Sequence, residues 1–285
     1  MSRVDITFDE AYYQSCPWDI EDDAKLIQSV AKEAGRIALS YFQKKDLHQW
    51  TKSNSTPVCE GDIAVDEFLK KILMQNRPGY GWLSEETEDS NGRMRCGRLW
   101  IVDPIDGTRS YLEGGDNWCV SIALIEDMKP ILGAIYVPIS DDFYFAQVGV
   151  GAYLNGHKIK VSDTEKIEKA HMMGNSADFI SDKIWPESWP SGMKTTSANS
   201  IALRIARVAS GYADICVTLR PKNDWDIAAA DLIIHEAGGK LTTGDGRSLI
   251  YNRSKPLHDH IVATTPTLYK SVMLRVIPAL KKWQL

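Results

Sequence analysis

Two aspartates, Asp103 and Asp106, close the apolar run Trp100-Ile-Val-Asp103-Pro-Ile-Asp106-Gly-Thr108. Carboxylates delivered together at the end of a strand are what a site for a hard divalent cation needs, since such ions select oxygen ligands. Open sheets also tend to bind their ligands at strand C-termini. Asp-Pro-x-Asp-Gly can equally be a polar turn in which Asp106 caps a helix. The β-like run leading straight into both acids favours chemistry over the turn alone. Glu85-Glu86 follows a second apolar stretch, Tyr80-Gly-Trp-Leu-Ser84, in the same way. Asp226 lies in Lys222-Asn-Asp-Trp-Asp226, opening a helix rich in small residues that can press against a neighbour, and a plain N-cap is the competing reading. With no Cys/His cluster to suit zinc, the acids point to Mg²⁺.

Competing chemistries are absent from the chain. There is no Cys-x5-Arg, no P-loop and no Gly-x-Ser-x-Gly elbow, and Asp103 and Asp106 are spaced Asp-x-x-Asp rather than the Asp-x-Asp of haloacid-dehalogenase-like phosphatases. Gly149-Val-Gly151 precedes a hairpin rather than a helix. His258-x-His260 has no acid close in sequence and reads as structural or surface; His235, on an apolar helix face, reads as core or as support behind the ligands rather than as a ligand. Trp100 and Trp225 flank acids and would keep them dry. The basic side chains nearest the constellation are Lys52, Arg109 and Lys222.

Elements that must position these residues are legible from periodicity. Positions 19–43 place Leu26, Val30, Ala34, Ile37 and Tyr41 at helical spacing behind acids that suit a helix N-terminus. A second helix is predicted over 62–75. The period then shortens: residues 80–84, 99–103, 118–125, 131–137 and 142–147 read as strands, with Asn155-Gly156 as a hairpin turn. Beyond about residue 160 strands and helices alternate, with strands at 171–175, 213–217 and 261–265 and helices at 198–209, 226–237 and 266–280. An α+β half over 1–160 holding most of the acids, followed by an α/β half over 161–285 holding Trp225-Asp226, is the simplest organisation. Glu86–Arg98 and Ser181–Met193 read as mobile surface loops.

The chain of 285 residues is 44% hydrophobic and 25% charged, the balance of a soluble globular protein. A net charge of −5 offers no basic footprint for a nucleic-acid polymer. Five scattered cysteines suggest free thiols, and no apolar run reaches the roughly 20 residues of a membrane span. With no signal-peptide pattern at the start, a cytoplasmic location is expected.

Taken together, Trp100–Thr108, Trp225-Asp226-Ile-Ala-Ala-Ala-Asp-Leu-Ile-Ile-His-Glu-Ala-Gly-Gly239 and Ser84-Glu85-Glu86 resemble the motifs of the inositol monophosphatase family, Mg²⁺-dependent and lithium-sensitive phosphatases. The family's Gly-Glu-Glu appears here with Ser84 in first place. The resemblance spans about residues 20–265 and implies a layered αβαβα sandwich, the fold shared with fructose-1,6-bisphosphatase. It implies one Mg²⁺ on Glu85, Asp103 and the Ile105 carbonyl, a second on Asp103, Asp106 and Asp226, and a weaker third leaning on Glu85. Gly107 and Thr108 would receive phosphate oxygens, and Asp62 would orient the Thr108 hydroxyl toward an attacking water. Inositol monophosphate is the default substrate.

The chain departs from the inositol enzymes after Asp-Gly-Thr, where it reads Arg109-Ser-Tyr-Leu-Glu-Gly. It departs again before Trp225-Asp226, where Lys222-Asn223 stand instead of an acid that grips hydroxyls. Those departures are similar to relatives acting on 3′-phosphoadenosine 5′-phosphate or histidinol phosphate, with Arg109 and Lys222 as substrate contacts. A homodimer is one expected assembly, and a non-catalytic metal- or phosphate-binding module is the reading from another class.

Overall fold

The computed structural model describes residues 19–44, 46–52, 57–90, 92–174 and 184–283. The expected amphipathic start forms α1 (Ile20–Tyr41), whose N-cap Asp19 accepts from the Glu21 amide and whose first turn holds Glu21, Asp22 and Asp23. There follow β1 (Gln49–Thr51), β2 (Pro57–Cys59), α2 (Glu60–Asn76), β3 (Gly81–Ser84), β4 (Arg98–Asp106), α3 (Thr108–Leu112), β5 (Cys119–Glu126) and β6 (Lys129–Val137). Next come β7 (Asp142–Gln147), β8 (Gly151–Leu154), β9 (His157–Lys158), β10 (His171–Met173), β11 (Lys194–Thr196), α4 (Ile201–Ala209) and β12 (Ile215–Thr218). The remainder is β13 (Lys222–Asn223), α5 (Asp224–Glu236), β14 (Lys240–Thr243), β15 (Leu257–His258), β16 (Ile261–Thr264) and α6 (Pro266–Trp283).

Seven strands, β3 to β9 in sequence order, make the larger sheet, parallel between β3 and β4 and antiparallel thereafter. A five-stranded sheet runs β11-β10-β12-β16-β14. Side-chain alternation along β4 shows how the layers stack, because successive residues face opposite sides of a sheet. Trp100 and Val102 pack under α1 and α2 with Ile27, Leu69 and Leu73. Leu99 and Ile101 point the other way, against α4 and α5 (Ile205, Ala230, Ile233) and the inner face of the second sheet (Cys216, Ala263). The outer face of that sheet, Ile215, Val217 and Val262, is covered by Leu268, Val272 and Val276 of α6. The order helix, sheet, helix, sheet, helix is the expected αβαβα sandwich.

The small residues of α5 serve the close approach expected of them. A Cβ at Gly133 on β6 would lie 2.6 Å from the Ala229 carbonyl oxygen, so only glycine lets the helix backbone sit this near the sheet. Each fully buried aliphatic side chain contributes about 1.5–3 kcal/mol. Layer packing therefore dominates stability and leaves the acidic site free to be unfavourable. At one edge a buried charge cluster ties α1 to β4. Asp23 is fully buried and accepts from Arg77 Nε at 2.5 Å, Tyr80 Oη at 2.7 Å and Arg98 Nη1 at 2.9 Å.

Two surface expectations change. Within 86–98, Arg93 is buried and bidentate to Asp89, and it also donates to Asn252 Oδ1 and the Arg253 carbonyl. Its charges are internal ties, so the described part of this stretch is an anchored strap rather than a mobile loop; Asn91 lies outside the described residues. In the stretch 181–193 the first three residues lie outside the described ones, as does Asn175 of the predicted strand 171–175, but Trp185 is buried and meets Trp189 edge-on at 5.1 Å. Cys59, Cys96, Cys119 and Cys216 are free thiols, and Cys16 lies outside the described residues. Among the described residues no helix is long and apolar enough to cross a membrane.

Candidate active site

β4 does not stop at Asp103; it continues to Asp106 through an irregularity. Asp103 pairs with Ser121 but Asp106 with Cys119, so three steps on β4 answer two on β5. In a regular strand residues three apart face opposite sides. One inserted residue is a β-bulge, which re-aims the side chains beyond it. Pro104, unable to donate to the ladder, sits in the bulge where its missing N–H costs nothing. The outcome is that both aspartates reach the same mouth.

Asp103, Asp106 and Asp226 bring one carboxylate oxygen each to within 4.8 Å of one another. Asp106 is buried, and its Oδ2 accepts from Ser200 Oγ at 2.5 Å and from the Ala202 amide at 2.7 Å. Asp226 is the third residue of α5 rather than its N-cap, which is Asn223; its Oδ2 accepts from the Asn223 amide at 2.6 Å. Asp103 is 2% exposed, and among the described residues its Oδ1 has no hydrogen-bond partner. A buried unsatisfied carboxylate oxygen is expensive unless a cation takes it. Electrostatics agree. Burial and then the charges of Glu85, Asp106 and Asp226 push the Asp103 carboxyl well above the ordinary range. Burial and the nearby Asp226 raise Asp106 to about 6, with Ser200, Ala202 and Lys222 working in the opposite direction. Converging oxygen donors that repel one another, two of them buried, fit a hard divalent ion, which would bind their charged forms.

Beside the trio, Gly107 turns the chain into α3 with φ +97°, and a Cβ there would lie 2.7 Å from the Asn117 carbonyl oxygen. Thr108 follows. Its hydroxyl faces two acceptors, the Ile105 carbonyl at 2.9 Å and Asp62 Oδ1 at 3.2 Å. Asp62 is buried, and its other oxygen accepts from the Cys59 amide at 2.8 Å and Cys59 Sγ at 3.0 Å. Burial and the adjacent Asp62 hold the Cys59 thiol at about 12, so it remains a donor. Burial likewise raises Asp62.

Glu85 is not part of the close trio. Lys52 Nζ lies 3.1 Å from Glu85 Oε1 and 2.6 Å from Glu86 Oε1. Burial raises Glu85 despite Lys52, with Asp226 adding to the effect. Burial opposes the Lys52 charge, but Glu85 and Glu86 outweigh it and raise the amine. Arg109 is exposed, and with Gln49, Thr51, Pro57, Leu112 and Glu113 it lines a cavity of about 410 Å³ beside Thr108. Lys222 sits on β13, half-buried. Trp100 packs away from the mouth under α1 and α2, while Trp225 packs against the central layer.

Several contacts escaped sequence reasoning. Ser200 caps α4 by accepting from the Leu203 amide, yet it also donates to Asp106, 94 positions away in the chain. His258 is buried and does have an acid, Asp224, at 2.9 Å; together with the β13–β15 pairing this fastens the strand that enters α5. His260 Nδ1 meets the Leu219 carbonyl at 2.8 Å. His235 is half exposed and pairs with Asp231, so it is not a core residue.

Comparison with known proteins accords with this arrangement. Residues 19–280 match the model of the inositol monophosphatase family. The chain is 32% identical to the histidinol-phosphatase of Mycobacterium tuberculosis, over 90% of this chain and 98% of that one. It is 30% identical to the inositol-1-monophosphatase of Bacillus subtilis, over 88% and 94% respectively. Among solved structures, the Thermotoga maritima IMPase superposes with a TM-score of 0.81 at 26% identity, covering 92% of this chain and 99% of that one. A family match over most of the length, with relatives of about 30% identity covered almost end to end, identifies the chain as a member of the inositol monophosphatase family.

Proposed function

We propose that the protein is a Mg²⁺-dependent phosphate monoester hydrolase acting in the cytoplasm on myo-inositol monophosphate or a related small phosphate ester. The observation that carries the reading is the unpartnered, buried Asp103 Oδ1 within a trio of converging carboxylates. In this reading Glu85, Asp103 and the Ile105 carbonyl hold one ion and Asp103, Asp106 and Asp226 another, with a third, weaker ion leaning on Glu85. Bound there, divalent ions supply Lewis acidity that makes water a usable nucleophile near neutral pH and offset phosphoryl charge.

The protein's own groups do the rest. With both hydrogen-bond acceptors of Thr108 on its inner side, the hydroxyl oxygen is left to align a water molecule for in-line attack. Asp62 holds that hydroxyl, and the Cys59 amide and thiol hold Asp62 in turn. Gly107 and Thr108, at the tight turn into α3, are proposed to receive phosphate oxygens, and Arg109, Lys222 and Asp226 to meet the remainder of the substrate. Inhibition by lithium is part of the same reading.

A second substrate, histidinol phosphate, is supported by the likeness to the mycobacterial histidinol-phosphatase over nearly its whole length. Phosphate release with Mg²⁺ is the test, across inositol 1-phosphate, histidinol phosphate and 3′-phosphoadenosine 5′-phosphate, each with and without Li⁺. Turnover of one ester far above the others, blocked by Li⁺, is expected. No release from any of them would overturn the proposal in favour of a binding module.

A further inference from the structure

Helix α2 carries two buried acids one turn apart, and the function just proposed uses only the first. Asp62 holds Thr108; Asp66 is 5% exposed and lies four residues on, the spacing at which helix side chains share a face. Its Oδ1 accepts from Ser84 Oγ, and its Oδ2 accepts from Thr87 Oγ1 at 2.6 Å. Among the described residues it has no cationic partner. Two hydroxyls alone are modest compensation for burying a carboxylate, which argues for more than fold stability.

Those two hydroxyls bracket Glu85-Glu86. Ser84 Oγ, its proton committed to Asp66, also accepts from the Glu86 amide at 3.4 Å. The Glu85 amide is tied to the Val102 carbonyl at 3.3 Å, next to Asp103. Lys52 closes the turn from outside, 3.4 Å from the Glu85 carbonyl. The site's one glutamate ligand is thus carried on a short turn gripped beneath by Asp66. Ser84 stands where the resembling motif has glycine, so this chain places a hydroxyl for Asp66 at a position where that motif has no side chain.

We infer that Asp66 is a positioning residue for Glu85: through Ser84 and Thr87 it fixes the turn that aims the Glu85 carboxylate toward Asp103, and so sets the affinity of the ion they share. The inference builds on the metal site proposed above. Groups that orient metal ligands in this way typically change metal affinity 10–100-fold when removed, so a loss of about tenfold is expected.

Mn²⁺ binding followed by electron paramagnetic resonance, with no substrate or turnover involved, tests it in the full-length protein. Thr87→Val keeps the shape and removes the hydroxyl; Thr87→Ser keeps the hydroxyl and removes the methyl. Thr87→Val and Ser84→Ala are each expected to weaken one class of Mn²⁺ site about tenfold, with Thr87→Ser staying near wild type. A packing role would give the reverse order. Thr87→Val binding Mn²⁺ as tightly as wild type, or Thr87→Ser falling as far as Thr87→Val, would overturn the inference while leaving the metal site standing. A wild-type protein that binds no Mn²⁺ would overturn both.

Discussion

Removing a charge from the acidic trio should stabilise the metal-free protein, and Asp106→Asn is the cleanest case. Asp106 is buried and raised from 3.8 to about 6, so keeping it ionised in the folded state costs about 3 kcal/mol. The amide oxygen of an asparagine can still accept from Ser200 Oγ and the Ala202 amide, and its NH₂ gains Asp226 as an acceptor. The sign follows from proton linkage. Asp106 binds its proton more tightly folded than unfolded, so wild-type stability falls as pH rises from about 4 through about 6 and the penalty is complete above that. At pH 8 without metal, Asp106→Asn should therefore be more stable by ~1–3 kcal/mol, with Tm rising about 2 °C per kcal/mol in a chain of this length. The gain should shrink steadily between pH 6 and 4. Thermal melts in chelator across that range, repeated with Mg²⁺, provide the assay. Mg²⁺ should reverse the order, because wild type then gains binding free energy that the variant largely forgoes. A variant less stable than wild type at pH 8 in chelator, or a gain that ignores pH, would refute the reasoning.

Other perturbations separate the site from its scaffold. Gly107→Ala forces a Cβ into a left-handed backbone and toward the Asn117 carbonyl, and should cost about 2 kcal/mol or more in urea unfolding together with most phosphatase activity. Thr108→Val should lower kcat by roughly 10²-fold without weakening Mn²⁺ binding, while Thr108→Ser keeps most of the rate. Asp23→Ala removes the buried acceptor shared by Arg77, Tyr80 and Arg98, away from the acids, and should cost about 3–5 kcal/mol in thermal or chemical unfolding. Its Mg²⁺ requirement, measured below the melting range, should be unchanged.

The parts legible in the sequence are those in which local pattern and final environment agree. The run ending in WIVDPIDGT is apolar because β4 is buried on both faces, and its acids stand out against that background. The same uniform burial conceals the bulge, since a strand with no polar face offers no alternation to break. Helix α5 is buried on nearly every side, so its apolar run could not reveal that His235 turns outward. Strands β1, β13 and β15, of two or three residues, are shorter than any readable period. Ser200 with Asp106, His258 with Asp224 and Arg93 with Asn252 are pairings across 94, 34 and 159 positions. Each of those residues looks like ordinary surface or capping chemistry until the sandwich closes. The three motifs were visible because each acid adjoins a plainly apolar run; the contacts that hold the acids still come from elements elsewhere in the chain.

The most direct measurement is a crystal structure of the protein soaked in Mn²⁺, with anomalous scattering used to locate the ions. Two peaks roughly 3.5–4 Å apart are expected, as in two-metal phosphoryl-transfer sites. Asp103 should contact both, through an oxygen that has no hydrogen-bond partner among the described residues, with Asp226 on one ion and Glu85 on the other. An anomalous map with no peak in coordinating range of Asp103 would contradict the central claim.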